Sequence, residues 1–387
     1  MNFIKMPDRI IHFAQDEKFI NSAYRQFEAL YPGKNEFFII SPAVDFNYVI
    51  QQPRIEKSSR EKVLQKIAPQ VSPRDLVIFH SLADVMHPIV LALDKKVPTV
   101  WFCFGYEIYN DANFYSKNLS FDRLTRARFG VPEPSFTAKA KSFVHGILHR
   151  MKPGAPMTPL EIKKTAIARI DYLASSFDEE FEAIQKLIGH KKKPFAFWYY
   201  PIENMVDISR EAATDRPDII IGNSGHATGN HLDVFEKIKN YKLSGKIVVP
   251  LSYGNKEYID EILPEGRAIL GEKFAPLTEF CALEAYNDIL SRCGVAILNC
   301  RRQQAVGNTI ALIWFGSKVF LSDKNPFFHY LRRIGVKLFS YEDDFDQAAC
   351  NILLTAEEIA NNRKALLAHL NAALLASELK ADIDAIQ

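Results

Sequence analysis

The sequence predicts an α/β protein with two doubly wound domains, each built on a parallel sheet covered by helices on both faces. Short, continuous apolar runs alternate with segments of helical spacing, and this alternation restarts in the second half of the chain. Such runs are typical of parallel strands buried on both sides. The chain has 387 residues, of which 48% are hydrophobic, which is enough for two cores of ordinary size.

The predicted elements follow one another in two series. In the first, the predicted strands are 9–14, 36–42, 75–81 and 99–105, with helices at 17–30, 58–68 and 84–95. In the second, the predicted strands are 216–225, 246–254, 266–271, 294–300 and 318–322, with helices near 229–240, 255–263, 279–292 and 308–315. A polar hinge is expected near 203–216. We therefore expect domains at 1–205 and 216–352, followed by a C-terminal helical segment at 355–387.

Composition narrows the class of protein. The formal net charge of +2 gives no global field that would favour a nucleic acid partner. The five cysteines are odd in number and include no C-x-x-C pair, which indicates reduced thiols and neither a disulfide framework nor a zinc site. We find no signal peptide and no apolar run of about 18 residues, so a soluble or peripheral cytoplasmic protein is expected.

One segment, 117–164, interrupts the alternation with many basic side chains and interleaved aromatic and aliphatic ones. An anionic membrane attracts such a surface with about 1 kcal/mol per charge. An ordinary pair of solvated helices is the alternative. The candidates for membrane contact are Arg123, Arg126, Arg128, Lys139 and Lys141.

Three polar corners follow predicted strands of the second series. They hold Gly222, Asn223, Ser224 and Gly225 in the first, Tyr253 in the second, and Arg301, Arg302, Gly307, Asn308 and Thr309 in the third. Ligands of parallel sheets bind beyond the carboxyl ends of strands, where helix N-termini favour anions. Arginine adds charge-assisted bonds, so the third corner suits a phosphate or diphosphate. Simple capped turns are the alternative for the first two.

The first series offers weaker candidates. His80 ends one predicted strand and Glu107 follows the next, where a general base or a hydroxyl-binding group belongs. A buried core histidine is an equal alternative for His80. The acidic run 341–346 favours a helix start over a metal site. The motifs of serine hydrolases, P-loop NTPases, zincins and dinucleotide-binding dehydrogenases do not occur.

The motifs and their spacing resemble those of the bacterial 4-alpha-L-fucosyltransferase family, the TDP-N-acetylfucosamine:lipid II N-acetylfucosaminyltransferases of enterobacterial common antigen synthesis. The similarity is densest over 219–328. There it is carried by "IIIGNSGHATGNH", which includes His231, by "IVVPLSYGNKEYIDEI", by "EAYNDILSRCGVAILNCRRQQAVG" and by N-P-F at Asn325. In the first half only the strand ending in His80 and the segment "WFCFGYEIY" are similar.

The resemblance implies a GT-B fold, in which two Rossmann-like domains form the active site in the cleft between them. The C-terminal domain would bind the nucleotide sugar and the N-terminal domain the acceptor, with no metal and no cofactor. The implied nucleotide-sugar-binding residues are Gly222, Asn223, Ser224, Gly225, His231, Tyr253, Tyr286, Arg302, Gln303, Gln304, Gly307, Asn308, Thr309 and Asn325. Arg301, His226 and Asn308 depart from the family pattern, and we interpret Arg301 as a solvated neighbour. Glu107 replaces an aspartate and keeps the carboxylate.

The implied reaction is transfer of a 4-acetamido-4,6-dideoxyhexose from a nucleoside diphosphate, expected to be TDP and otherwise UDP, to a polyprenyl-diphosphate-linked oligosaccharide. Arg302, Glu107 and His80 are the expected catalytic residues, and the expected location is the cytoplasmic face of the bacterial inner membrane, where the protein would bind peripherally. The alternatives are a GT-B transferase for another donor or acceptor of O-antigen, capsule or glycoprotein synthesis, a sugar-nucleotide epimerase or hydrolase, and a catalytically silent binding protein.

Overall fold

The computed structural model describes residues 6–132, 156–213 and 215–386. The strands of the first half are Ile10–Ala14 (β1), Asn35–Ile40 (β2), Ile55–Ser58 (β3), Leu76–His80 (β4), Thr99–Phe102 (β5), Tyr172–Ser175 (β6) and Lys193–Ala196 (β7). They form one parallel sheet in the order β3-β2-β1-β4-β5-β6-β7. Every crossover therefore runs over a face of the sheet.

The second half repeats this arrangement. Its strands are Asp218–Ile221 (β8), Ile247–Pro250 (β9), Phe274–Leu277 (β10), Cys293–Leu298 (β11), Lys318–Leu321 (β12) and Phe339–Ser340 (β13). They pair in parallel in the order β10-β9-β8-β11-β12-β13. Two parallel α/β sheets confirm the predicted fold class.

The helices connect successive strands. Those of the first half are Ile20–Leu30 (α1), Arg60–Lys62 (α2), His87–Ala92 (α3), Tyr106–Tyr109 (α4), Arg123–Phe129 (α5), Pro159–Arg169 (α6), Asp178–Ile188 (α7) and Ile202–Met205 (α8). Those of the second half are His231–Ile238 (α9), Lys256–Leu270 (α10), Leu283–Ser291 (α11), Val306–Trp314 (α12), Pro326–Arg333 (α13), Gln347–Cys350 (α14), Ala356–Leu370 (α15) and Ala372–Ala385 (α16).

The strands alternate their side chains between two cores. In β4, Val77 and Phe79 pack on one face of the sheet, and Leu76 and Ile78 pack on the other. The second sheet behaves alike: β11 sends Ala296 and Leu298 to one core and Val295 and Ile297 to the opposite one. Burial on both faces is the physical reason for the continuous apolar runs in the sequence.

One predicted strand is wrong. Residues 266–271 fall in the last turns of helix α10 and the 3₁₀ turn that follows, and the strand of this region is β10, a few residues later. Asn255 caps α10, and Tyr258, Ile262 and Gly266 are buried at helical intervals. The helix ends only at Gly271, whose φ of +57° suits glycine. The apolar residues 268–270 therefore belong to the last turn of a helix and not to a strand.

Two segments cross between the domains. A 3₁₀ turn, Lys117–Ser120, and helix α5 come from the first half but lie on the second domain; we call residues 117–129 the strap. Its Leu124 and Phe129 join the core cluster of the second domain. In the other direction, helix α16 returns to the first domain, where Leu379 and Ile383 enter the core beside α1.

Candidate active site between the two sheets

A cavity of about 240 Å³ lies between the carboxyl ends of the two sheets. The first domain supplies its aromatic walls from the loops after β5, β6 and β7, including Phe104, Trp198 and Tyr199. The second domain supplies Gln303 and Gly307, which belong to the third predicted corner; we call its residues 301–309 the phosphate loop. The predicted strand-to-helix corner therefore opens on the space between the domains.

Helix α12 begins at this cavity without a side-chain cap. Its N-cap is Ala305, which has no polar side chain and adopts a φ of +61°. L-residues other than glycine rarely adopt this left-handed conformation, and such strain occurs where the surrounding structure imposes it. The space around Gly307 is open: apart from its chain neighbours and the backbone of its own helix, no atom of the described residues lies within 4 Å of the position a Cβ would take. The first N–H groups of an α-helix have no intrahelical acceptor, so this helix start is a site for an anion.

Arg302 stands beside this helix start. Its guanidinium lies over the ring of Tyr109 from the first domain, 5.6 Å from the ring centroid. Burial lowers the pKa of Arg302 from its ordinary value, while the nearby Cys300, Tyr109, Tyr115 and Glu180 oppose that shift. No hydrogen bond or ion pair of Arg302 is found among the described residues. A largely buried arginine held only by an aromatic face has its donors available for a ligand.

The interpretation of Arg301 as a solvated neighbour is wrong. Its side chain is 11% exposed and forms an ion pair of 2.5 Å with Asp122 of the strap. It also donates to the carbonyl oxygen of Phe121 at 3.0 Å. Arg301 therefore joins the strap to the phosphate loop, and the two adjacent arginines have different roles.

The glycine-rich loop after β8 is held by the phosphate loop. Gln304 donates from Nε2 to Oδ1 of Asn223 at 3.1 Å and accepts a bond from the hydroxyl of Thr228 at 2.7 Å. Ser224 is buried and Gly225 forms a bridge with Gly254. The Asn223 amide donates to the hydroxyl of Tyr253 at 3.1 Å. The predicted residues of all three corners are thus brought together at one edge of the sheet.

His231 supports the glycine-rich loop from beneath. The ring is fully buried, with Nδ1 2.9 Å from the Tyr258 hydroxyl, and burial lowers its pKa to about 4. A Cβ on Gly222, whose φ is +69°, would lie 2.5 Å from Nε2 of His231. The imidazole therefore occupies the space that the missing side chain leaves. Its predicted contact with the nucleotide sugar stays a prediction, and the contacts that the ring makes position the loop.

Two further residues that were predicted to bind the nucleotide sugar use their side chains for hydrogen bonds to the backbone. Thr309 is buried, and both its N–H and its hydroxyl donate to the carbonyl oxygen of Ala305 at 2.8 Å. Since α12 starts at Val306, Thr309 lies at the end of its first turn. The prediction that the Thr309 N–H faces the ligand is wrong, because this group is already bonded within the helix. Asn325 is buried, caps α13 and donates to the carbonyl oxygen of Cys300 at 3.0 Å. Asn308 remains at the helix start and is partly exposed.

Tyr286 lies on α11. It packs at the edge of the core of the second domain and is near Tyr253, and burial raises its pKa. Its hydroxyl is buried without a hydrogen-bond partner among the described residues. Its contact with the nucleotide stays a prediction.

In the first domain, Glu107 is buried close to the cavity wall. Its Oε1 accepts bonds from Trp101 Nε1 at 3.0 Å and from the N–H groups of Phe104 and Leu82 at 3.3 and 3.4 Å. Its Oε2 is buried with no partner among the described residues. Burial raises the pKa of Glu107, and the donated bonds oppose that shift. Oε1 of Glu107 is thus held by three hydrogen bonds, and Oε2 can carry a proton or accept a hydrogen bond from a hydroxyl group.

His80 occupies a different environment. It is 2% exposed, with Nε2 3.0 Å from Nδ1 of His12 and Nδ1 2.7 Å from the Tyr199 hydroxyl. Burial lowers its pKa to about 3, so the ring is neutral. Because both ring nitrogens are engaged, the geometry favours the alternative of a satisfied core histidine, and direct catalysis by His80 stays a prediction without support.

Glu180 and Tyr109 were not among the predicted residues. Tyr109 ends α4 and Glu180 lies in the first turn of α7, and the Tyr109 hydroxyl donates to Glu180 Oε2 at 3.2 Å. Glu180 is 4% exposed, and burial raises its pKa to about 8. The sequence carried only a weak signal, because β6, the strand that leads into α7, was itself not recognised.

The predicted membrane residues fall in two groups. Arg123, Arg126 and Arg128 are exposed on the strap, but Arg128 is paired with Glu261 and Glu265 of α10, at 2.6 Å each. Lys139 and Lys141 lie outside the described residues. Within the part of the chain that the structure describes, no helix is both long and apolar enough to cross a membrane, and no group of three potential ligands could hold a metal ion.

Solved structures share this architecture. Trehalose 6-phosphate synthase of Burkholderia multivorans has 11% identity and a TM-score of 0.60, with 98% of this chain and 99% of that chain covered. HepE of Anabaena, solved in complex with UDP, has 11% identity and a TM-score of 0.62, with 98% and 100% covered. Sucrose-phosphate synthase of Thermosynechococcus elongatus has 11% identity and a TM-score of 0.56, with 96% and 98% covered. At these identities the likeness shows the fold, which is GT-B.

The sequence itself matches a family over residues 171–379, which is more than half of the chain: 4-alpha-L-fucosyltransferase, glycosyl transferase group 56. This match includes all three corners of the second domain as well as Glu180. The chain therefore belongs to the 4-alpha-L-fucosyltransferase family and is a glycosyltransferase with the GT-B fold.

Proposed function

We propose that this glycosyltransferase transfers a 4-acetamido-4,6-dideoxyhexose from a TDP-linked donor to a hydroxyl of a polyprenyl-diphosphate-linked oligosaccharide in bacterial surface polysaccharide synthesis. The observation that carries the proposal is Arg302, a largely buried cation with no hydrogen bond to any residue that the structure describes, beside the uncapped start of α12. Cleavage of the donor leaves charge on a diphosphate, and preorganised donors at that place stabilise it most effectively. HepE, a structural neighbour, was solved with UDP, which supports a nucleoside diphosphate as the ligand.

The second domain would bind the donor. The N–H groups of Gly307 and Asn308 and the Arg302 guanidinium point to the diphosphate, which gains charge as the glycosidic bond breaks. Gln304, by its bonds to Asn223 and Thr228, keeps the glycine-rich loop beside the phosphate loop. Helix dipole, backbone donors and guanidinium thus supply the positive environment at the leaving group.

The first domain would present the acceptor. Glu107 Oε2 is buried and has no hydrogen-bond partner among the residues of 6–132, 156–213 and 215–386, and we assign it to the acceptor hydroxyl. In an inverting transfer it takes the hydroxyl proton. In a retaining transfer, a leaving phosphate oxygen takes the proton and Glu107 positions the hydroxyl. The aromatic wall at Phe104 and Tyr199 gives this side of the cavity flat faces on which a sugar ring can pack.

A donor and acceptor panel tests the proposal. The full chain is incubated with TDP-linked and UDP-linked sugars, with and without a polyprenyl-diphosphate-linked glycan, and product is followed by mass spectrometry. The expected result is a product enlarged by one acetamidodideoxyhexose, formed only with both substrates. Turnover of donor without acceptor would favour the epimerase or hydrolase alternative, and an acceptor from O-antigen, capsule or glycoprotein synthesis that reacts better would replace the acceptor named here.

We further propose that the protein works peripherally at the cytoplasmic face of the bacterial inner membrane. A lipid-linked acceptor is confined to a membrane, and the exposed Arg123 and Arg126 place positive charge on the strap. Arg128 is committed to two glutamates, so its net contribution to attraction is small.

Charge reversal tests membrane attachment. The double variant Arg123→Glu and Arg126→Glu is expected to lower the bound fraction on vesicles containing about one third anionic lipid, since each lost charge removes about 1 kcal/mol of attraction. The variant Lys95→Glu and Lys96→Glu makes the same change in net charge at exposed positions before β5, at the opposite edge of the sheet, and should keep wild-type binding. Equal loss in both variants, or in neither, would contradict the proposal.

A further inference from the structure

Glu180 is a buried carboxyl group that the proposed reaction leaves unused. It lies at the carboxyl edge of the first sheet, close to the backbone of Gly105, whose φ is +83°. A Cβ added to Gly105 would lie 3.5 Å from Oε1 of Glu180. Oε2 accepts the Tyr109 hydroxyl at 3.2 Å, and Oε1 is buried with no partner among the described residues. A buried carboxyl group with one unsatisfied oxygen requires either a proton or a ligand.

Tyr109 connects this carboxyl group to the phosphate loop. Its hydroxyl meets Glu180, while its ring lies under the Arg302 guanidinium with a centroid distance of 5.6 Å. Glu180 and Tyr109 belong to the first domain and Arg302 to the second, so the contact spans the cleft. Arg302 and Glu180 also interact electrostatically, since each shifts the pKa of the other toward its charged form.

We propose that Glu180 is a positioning residue for Arg302: while protonated it leaves the guanidinium charge to the donor diphosphate, and on ionisation it competes for that charge and weakens binding of the nucleoside diphosphate. This inference rests on the proposed function, in which Arg302 binds the diphosphate. The ionised Glu180 carboxylate and the diphosphate would compete for Arg302, because each anion is stabilised less by the guanidinium when the other is present.

The charges that face Glu180 come from four directions. Helix α4 contributes Tyr109 and Glu107, and Glu107 raises the pKa of Glu180 further. The Cys103 thiol lies on the loop after β5, and burial together with Glu107 raises its pKa, so it stays neutral. From the second domain comes Arg302, which opposes the rise. Arg333 of α13 pairs with the neighbouring Glu179 at 2.7 Å. Burial outweighs the rest and raises the pKa of Glu180 to about 8.

The sign of the pH dependence follows. Near neutral pH Glu180 carries a proton, and Arg302 is free to bind the diphosphate. As the pH rises through about 8, Glu180 ionises, so the dissociation constant of TDP or UDP should rise by about tenfold between about pH 7 and about pH 9. The β-phosphate loses its last proton at a pKa of about 6, so most of the ligand is fully ionised at about pH 7. Loss of the remaining proton would strengthen binding to Arg302, which is opposite in sign to the expected change.

Calorimetric titration of the full chain with TDP and UDP across this pH range tests the inference. Glu180→Gln removes the titrating proton and keeps an acceptor for Tyr109, so its dissociation constant should stay within about twofold over the range. Glu182→Gln, an exposed position on the same helix, should reproduce the wild-type curve. Tyr109→Phe removes a bond that lowers the pKa of Glu180, so the midpoint should move to higher pH. This variant also retains the ring beneath Arg302.

The outcomes separate the two proposals. Wild-type protein that binds neither diphosphate would overturn the proposed function, and this inference with it. Binding whose pH dependence persists in Glu180→Gln, or that is flat in the wild type, would overturn the inference alone. If Glu180→Gln does not fold, as judged by its melting curve, the shift of the midpoint in Tyr109→Phe decides: an unmoved midpoint refutes the role of Glu180.

Discussion

Replacing Arg302 with alanine is expected to lower kcat for sugar transfer by about 10²–10³, the range for loss of one preorganised donor to a developing anion. The reason is that the leaving diphosphate gains charge in the transition state, and the guanidinium gives up no hydrogen bond to a described residue when it meets that charge. The melting temperature should change little, because the substitution removes a buried charge and breaks no ion pair within the described part of the chain. Initial rates at saturating donor and the melting curve of the same preparation measure both.

Two further variants calibrate this result. Arg302→Lys retains a point charge without the planar fork and should restore part of the rate. Arg267→Ala, an exposed arginine on α10, should leave kcat unchanged. A loss of less than about tenfold for Arg302→Ala, with the fold intact, would contradict the assignment of Arg302 to the leaving group.

Replacing Asn230 with alanine should lower the free energy of unfolding by about 3–5 kcal/mol, since several buried groups lose their partners at once. The Asn230 amide donates to the carbonyl oxygens of Ser120 and Asn299 at 3.0 and 2.7 Å, and its Oδ1 accepts the Asp122 N–H at 2.8 Å. The side chain is fully buried and its φ is +52°, a conformation that asparagine tolerates better than alanine. The loss should appear as a lower urea midpoint and a lower melting temperature.

The control is Asn361→Ala, at an exposed position of α15, which should not destabilise the protein because alanine favours helices. Limited proteolysis should cut Asn230→Ala within 117–129 faster than the wild type, since the strap loses its central bonds. A change in stability below about 1 kcal/mol would mean that the strap is held by its other contacts alone. These include Asp233, which accepts the N–H groups of Leu124 and Thr125 at 2.7 and 2.9 Å.

The fold class was predictable because strands buried on both faces appear in the sequence as continuous apolar runs, whichever strands they pair with. The strands that were not predicted lack such runs. The strand β7 is mostly exposed at its start, contains a proline and lies at the edge of the sheet, where a missing N–H is tolerated. Residues 266–271 do include apolar side chains, but they continue the helix that Asn255 caps, so they are helical and not extended.

The residues of the site also differ in how far the sequence predicts them. The glycine-rich and arginine-rich corners are local, so the order of residues sufficed to predict them. Arg301 could not be separated from Arg302 by pattern, because its carbonyl partner Phe121 lies 180 residues away along the chain. Glu180, Tyr109 and Asn230 acquire their roles through pairing of the same kind between distant segments. His80 shows the converse: its place at a strand end was predicted, but the partners that occupy both ring nitrogens were not.

The return of α16 to the first domain bears on how the chain is made. Leu379 and Ile383 complete the core beside α1, the Tyr31 hydroxyl donates to Asp384 at 2.8 Å, and the Ala196 N–H donates to Asp382. A ribosome releases these residues long after β1 and α1 have emerged. Domains usually fold as units in the order of synthesis. Here the first domain would wait, with part of its apolar surface uncovered, until 372–386 arrive, so a chaperone that shields it during translation should raise the yield of folded enzyme.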